Sequence, residues 1–310
     1  MITACLIVKN EEKYIGQCLR NLSNIVDEIV IVDTGSVDKT INIAKQFNVK
    51  IYYHKWNNNF AEARNHCLKY ANTNWVLIID ADETIELTNL KYNDLNEKIG
   101  GIKINIKNYI DNKLDKFSTH QYTRIFRNKP EFRFEGIIHE QISESILKCG
   151  YEIIESDIEI THYGYINTSE EKKIRNKILL ENVDLNDDYN KLNYADTLFS
   201  LNEIEKAINF YIELIDSEFL SEYQNDHVKI RIGQIYLKQN HFSDVKKILE
   251  FSSTDVNLEG LRKFVLAASL LSNKEYKDAQ YLYNELDFDN SNLIDKNLIT
   301  NALNVLKQFT

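Results

Sequence analysis

From residue 2 to residue 79 the chain alternates short β-branched apolar runs with helical patterns, and this rhythm constrains the fold more than any other feature of its 310 residues. Ile2 to Val8, Glu28 to Val32, Ile51 to His54 and Trp75 to Ile79 read as strands. Glu12 to Leu22, Lys39 to Phe47 and Phe60 to Ala71 read as helices, the first with Ile15, Cys18, Leu19 and Leu22 on one face. An order β-α-β-α-β-α-β calls for an α/β domain whose central sheet is mostly parallel, with helices on both faces. In such sheets the ligand sits at the carboxyl ends of the strands. Three of those ends carry polar clusters: Lys9-Asn10-Glu11, Asp33-Thr34-Gly35-Ser36 and Asp80-Ala81-Asp82-Glu83.

From Gly101 to about Gly164 the pattern changes to alternation, in Ile102, Ile104, Ile106 and again in Phe132 and Phe134, which suits antiparallel strands added at one edge. Around Ser169 the chain turns helical and stays so. Leu201-Asn-Glu-Ile-Glu-Lys-Ala207, Gln239-Asn-His-Phe-Ser-Asp-Val245 and Asn273-Lys-Glu-Tyr-Lys-Asp-Ala279 form a weak repeat whose last positions lie 38 and 34 residues apart. That is close to the ~34-residue tetratricopeptide (TPR) period. The expected domains are therefore residues 1–166, α/β, and residues 167–310, an all-α helical repeat.

Hydrophobic residues make up 43% and charged residues 27%, enough apolar surface for two cores. With 37 basic against 47 acidic side chains the net charge is −10, which argues against a nucleic-acid partner. No apolar run approaches the ~18 residues of a transmembrane segment, and Met1 leads straight into an apolar strand with no basic leader. The expected location is cytoplasmic. Cys5, Cys18, Cys67 and Cys149 are scattered, without Cys-x-x-Cys spacing, and read as reduced and mostly buried.

Asp80 and Asp82 end a purely apolar strand, so both carboxylates emerge at the sheet rim. They can offer hard oxygens to a divalent cation, or one to the cation and one to a sugar hydroxyl. Asp33 also ends an apolar strand, where it can accept from a base N–H or ribose hydroxyls while Gly35 admits close backbone approach. Ser36 or Asp38 can equally cap the helix that follows.

Ile7-Val-Lys-Asn-Glu-Glu12, Val32-Asp-Thr-Gly-Ser-Val-Asp-Lys-Thr40, Asn59-Phe-Ala-Glu-Ala-Arg-Asn65 and Ile79-Asp-Ala-Asp-Glu83 occur in the order and spacing of family 2 glycosyltransferases with the GT-A fold. With helical repeats behind them, the whole resembles bacterial glycosyltransferases that modify flagellin or peptides. The resemblance implies a UDP-sugar donor, inversion at the anomeric carbon, and Mn2+ or Mg2+ as cofactor. Val8, Asn10 and Glu11 would line the nucleotide and Asp33 would read its uracil or ribose. In Asp80-Ala81-Asp82, Asp82 would bind the metal directly, with Asp80 on the ribose or a metal-bound water. Arg64 and Asn65 match positions near the diphosphate or sugar, although a salt bridge from Arg64 to the sheet is an equal alternative. His162 resembles the histidine that completes the metal shell, and Glu140, in Gly136-Ile-Ile-His-Glu140, is the candidate general base.

His139 would orient a neighbour or contact the acceptor, and Arg124 and Arg127, on one side of a loop or strand, would reach phosphate or form a structural pair. The donor sugar is expected to be GlcNAc or glucose. The acceptor is expected to be a protein or peptide, possibly Ser/Thr of flagellin, held by the helical repeats. A lipopolysaccharide core as acceptor, a homodimer built on the helices, and a non-enzymatic scaffold with a degenerate transferase domain stay open. Nucleotidyl transfer ranks low, since none of the nine glycines forms a phosphate loop.

Overall fold

A computed structural model describes residues 1–87, 95–109, 117–163, 170–286, 293–294 and 296–309. The chain divides into two compact units, Met1–Thr168 and Ser169–Thr310. The expected boundary at 166/167 falls outside the described residues.

In the amino-terminal unit, strands β1 (Ile2–Val8), β2 (Glu28–Asp33), β3 (Lys50–Tyr53) and β4 (Trp75–Ile78) alternate with helices α1 (Ile15–Leu22), α2 (Thr40–Ala44) and α3 (Phe60–Leu68). β5 (Glu83–Glu86), β6 (Ile99–Tyr109), β7 (Phe117–Arg127), helix α4 (Ser143–Lys148) and β8 (Glu152–His162) follow. The eight strands form one sheet in the order β3-β2-β1-β4-β7-β6-β8-β5. β3, β2, β1 and β4 are parallel. β7 joins β4 antiparallel, and β6 joins β7 likewise.

The expected all-antiparallel extension is corrected in two places. β8 runs parallel to β6, because the connection through α4 carries the chain past β6 to its far edge instead of beside β7. Phe132 and Phe134 belong to no strand. They lie in the loop after β7, where Phe132 is fully buried and Phe134 nearly so, and their alternation reflects packing under the sheet.

Parity explains the layers. Ile2, Ala4, Leu6 and Val8 of β1, Ile29 and Ile31 of β2, and Trp75 and Leu77 of β4 face one core with Ile15, Cys18, Leu19 and Leu22 of α1. The intervening Cys5, Val30, Val32, Val76 and Ile78 face a second core with Ala61 and Cys67 of α3, Phe132, Phe134 and Ile146 of α4. Strands buried on both faces lack a polar side, which is why they read as continuous apolar runs. Cys5, Cys18 and Cys67 are buried and free, and Cys149 is exposed and free.

The carboxy-terminal unit contains α5 (Glu170–Leu180), α6 (Asp188–Ser200), α7 (Ile204–Glu213), α8 (Glu222–Lys238), α9 (Phe242–Ile248), α10 (Val256–Ser272), α11 (Tyr276–Asn284) and α12 (Lys296–Leu306). The repeat marks the turns of three helical hairpins, α6–α7, α8–α9 and α10–α11. Each turn contains one left-handed residue, Asn202 at φ 60°, Asn240 at 60° and Lys274 at 63°. The residue after it donates its N–H five residues back: Glu203 to Leu198, His241 to Tyr236 and Glu275 to Leu270, each at 2.9 Å. These 6→1 bonds satisfy carbonyls at the end of the first helix. Ala207, Val245 and Ala279 are fully buried in the second helix of each hairpin. Among the described residues no helix is long and apolar enough to cross a membrane.

Candidate functional site

The loops leaving β1 and β2 interlock at the sheet's carboxyl edge. Asn10, left-handed at φ 57°, donates its N–H to Ser36 Oγ at 3.0 Å and accepts from the Val37 N–H through Oδ1 at 2.9 Å. The Glu11 N–H donates to Thr40 Oγ1 at 2.7 Å. Asp33 is buried, and its carboxylate accepts from the N–H groups of Gly35 (3.3 Å) and Ser36 (3.1 Å). Gly35 adopts φ +111°, a conformation that favours glycine. Asp38 accepts from the Thr40 N–H and hydroxyl and from the Glu12 N–H. Val8 contributes only backbone: its side chain is in the core and its carbonyl accepts from Thr34 N–H and Oγ1.

The segment after β4 forms a second rim. Ala81 is buried in the core, leaving Asp80 and Asp82 to emerge on either side of it. The turn closes on itself, with Glu83 N–H donating to the Asp80 carbonyl at 3.1 Å and Asp80 N–H to Glu83 Oε2 at 2.8 Å. Arg124 holds this turn from β7, with Nη2 at 3.0 Å from Glu83 Oε1 and 3.6 Å from Asp80 Oδ2. Arg124 reaches that far because Ile102 pairs with Ile125 and Lys103 with Thr123, which makes Arg124 the extra residue of a β-bulge. Arg127 does not share its side. It donates to the carbonyls of Ile99, Leu95 and Asn96 and stacks over Trp75, so it is structural.

α3 carries the third component. Arg64, buried, donates through Nη2 to Asp80 Oδ1 at 3.0 Å and through Nε to Glu140 Oε1. Its Nη1 is buried without a hydrogen-bond partner. The salt-bridge alternative for Arg64 is thus realised, and the bridge runs through the site itself. Asn65 is corrected: its amide grips both the N–H and the carbonyl of Phe134 at 2.9 Å, fixing the loop that leads to Glu140. Phe60 N–H on the Ile137 carbonyl at 2.8 Å, and the Glu135–Gln141 pair of backbone bonds, complete that loop. A cavity of about 180 Å³ opens beside it, lined by Arg64, Tyr122, Arg124, His139 and Glu140 among others.

Sheet register assembles the fourth component. Glu83 pairs with His162 across β5 and β8, and Asn108 pairs with His162 across β6 and β8. This brings His162 Nε2 to 3.3 Å from Asp82 Oδ2 and its Nδ1 to 2.7 Å from Asn108 Oδ1.

Burial opposes charge at Asp80, Glu83 and His162, with different outcomes. At Asp80 the guanidiniums of Arg64 and Arg124 outweigh burial and hold the carboxyl well below the usual carboxylate range. At Glu83 burial wins and the carboxyl is raised despite Arg124. At His162 burial lowers the pKa, but the Asp82 hydrogen bond and the carboxylates of Asp82, Glu83 and Asp80 reverse it, so the imidazole is raised.

The Asp80 carboxylate pairs with two arginines, Arg64 and Arg124. Asp82 and His162 do come together. Among the described residues no group of three or more His, Cys, Asp or Glu side chains is arranged to hold a metal. One carboxylate and one imidazole fit a divalent ion whose remaining positions are filled by oxygens of a ligand. Asn108 escaped sequence reasoning, and Glu83 was read only as part of the polar cluster after β4. Asn108 carried a readable signal, because a polar residue continues the buried row Ile102, Ile104, Ile106.

Residues 3–92 match the family model Glycosyl transferase family 2. Glycosyltransferase SunS of the SPbeta prophage in Bacillus subtilis is 26% identical over 294 residues, covering 87% of this chain and 67% of the relative. A TPR repeat-containing protein of Synechococcus elongatus is 29% identical over 174 residues, covering 53% of this chain and only 42% of the relative. The solved structure of Staphylococcus aureus TarS 1–349 overlaps 92% of both chains with a TM-score of 0.41 at 17% identity. The match to the family 2 glycosyltransferase model thus lies within the α/β unit, and a helical part follows it.

Proposed function

We propose that this chain is a metal-dependent inverting glycosyltransferase that moves a sugar, GlcNAc or glucose, from a UDP-sugar to a hydroxyl of a protein or peptide. The observation that carries this reading is the Asp82–His162 pair at one end of a charged cluster that runs through Asp80 and Arg64 to Glu140. The interlocked loops at Asn10, Glu11 and Asp33 suit the nucleoside, with Asp33 accepting from uracil or ribose. Asp82 and His162 would hold Mn2+ or Mg2+ against the diphosphate, where the ion would neutralise charge on the departing UDP. Arg64 Nη1 offers a hydrogen bond to a substrate oxygen, and Asp80 keeps its guanidinium in place.

Glu140 takes the acceptor proton onto its carboxylate as the acceptor oxygen forms its bond to the anomeric carbon. The bond from that carbon to the β-phosphate oxygen breaks, and its electron pair leaves with UDP. One base and attack from the face opposite the leaving group give inversion. General base catalysis contributes about 10²–10⁴-fold.

The test is UDP release from UDP-glucose, UDP-galactose and UDP-N-acetylglucosamine, each with Mn2+ and an acceptor peptide mixture. Asp82→Ala should abolish turnover and weaken UDP binding in Mn2+ with the fold intact. Glu140→Gln should keep donor affinity and lower turnover by about 10² or more. Full activity in EDTA overturns the metal assignment, and loss of donor binding in Glu140→Gln moves Glu140 to the donor side.

A further inference from the structure

Asn108 is buried, at 3% exposure, where β6 ends beside the site. Its Nδ2 is 3.4 Å from the Ile106 carbonyl and 2.7 Å from His120 Nε2, and its Oδ1 is 2.7 Å from His162 Nδ1. The Ile106 carbonyl marks which end of the amide carries the NH2. Reversed, its oxygen would face the Ile106 carbonyl, acceptor against acceptor. With the NH2 on Ile106 and His120, the oxygen is left to His162, and an amide oxygen only accepts. The neutral His162 ring therefore carries its proton on Nδ1 and presents a lone pair at Nε2.

That lone pair faces Asp82 Oδ2 at 3.3 Å. In the neutral ring these are two acceptors with room for a cation between them, a metal ion taking the place of the proton that bridges them when the ring is charged. Two ligands about 2.1 Å from a hard divalent ion, at nearly a right angle, stand about 3 Å apart. We infer that Asn108, itself held by His120, is a positioning residue that fixes the ring orientation and tautomer of His162 so that Nε2 and Asp82 form a ready half-site for a divalent cation. This deepens the proposed metal dependence and rests on it. Partners of this kind, one shell out from the ligands, commonly change metal affinity 10–100-fold when removed.

The experiment follows Mn2+ uptake by the full chain in saturating UDP, through loss of the free-ion electron paramagnetic resonance signal. Asn108→Leu should weaken Mn2+ binding about 10–100-fold without changing metal-free UDP binding. Asn108→Asp, which still accepts from Nδ1–H, should stay within about threefold of wild type. Equal Mn2+ affinity in Asn108→Leu overturns the inference, as does an Asn108→Asp as weak as Asn108→Leu. A second measurement needs no variant: nitrogen-15 shifts of His162 in the wild-type protein, metal-free and with the ring neutral, should show Nδ1 protonated and Nε2 bare. The opposite tautomer overturns the inference even if Asn108→Leu fails to fold. A wild-type chain that takes up no Mn2+ would instead sink the metal reading of the site, leaving the tautomer to be judged by its own spectrum.

Discussion

Glu28 opens β2 and gathers its donors from three segments. Its carboxylate accepts from Thr3 Oγ1 at 2.7 Å and the Asn72 N–H at 3.0 Å, and it pairs with Lys50 of the edge strand β3. Burial raises its pKa, but these donors outweigh it and bring the carboxyl from 4.5 to about 2. A depressed folded-state value means the stabilisation is present above about pH 4.5 and is lost as the pH falls toward 2. Thermal melts taken across that window should therefore show an acid limb steeper by up to one proton in wild type than in Glu28→Gln. Identical limbs would show that the pairing adds nothing. At this scale the sequence revealed what depends on strand ends: Asp33 and Asp82 terminate apolar runs, and both stand at the rim. What it concealed depends on distant partners. Spacing along the chain cannot reveal that Arg124, forty-four residues beyond Asp80, is bulged toward it.

Helix α3 does more than cover the sheet. Through Asn65, Phe60 and Arg64 it fixes the loop that presents Glu140, so the candidate base is positioned by an element that also touches Asp80. Asn65→Ala strips two backbone groups of Phe134 of their partner, and leaving such groups unsatisfied costs about 1–3 kcal/mol. The variant should melt earlier and turn over more slowly, with UDP affinity nearly unchanged, measured by calorimetry and UDP release. A fall in UDP affinity alone would restore Asn65 to the donor side. The parallel strands and α1 were legible from apolar periodicity, since both faces of the sheet are buried. The direction of β8 was not, because strand alternation is identical for parallel and antiparallel neighbours. Phe132 and Phe134 misled for a related reason: two aromatics packed into a core mimic a strand without any ladder.

Every proposed site residue lies in the first unit and the helical hairpins lie in the second. Stacked hairpins offer extended surface for a peptide, and binding energy gained there can be used far from the reacting carbon. A chain ending at Thr168 should accordingly retain slow hydrolysis of the donor yet lose most transfer to a Ser/Thr peptide library, measured with labelled sugar. Equal transfer by both lengths would leave the hairpins a bracing or dimerising role. The repeat was visible in sequence because Ala207, Val245 and Ala279, each fully buried in the second helix of its hairpin, recur 38 and 34 residues apart. Since each bend is specified within its own turn, a whole hairpin is the natural unit by which such an array could lengthen or shorten, leaving the fold of the amino-terminal unit unaltered.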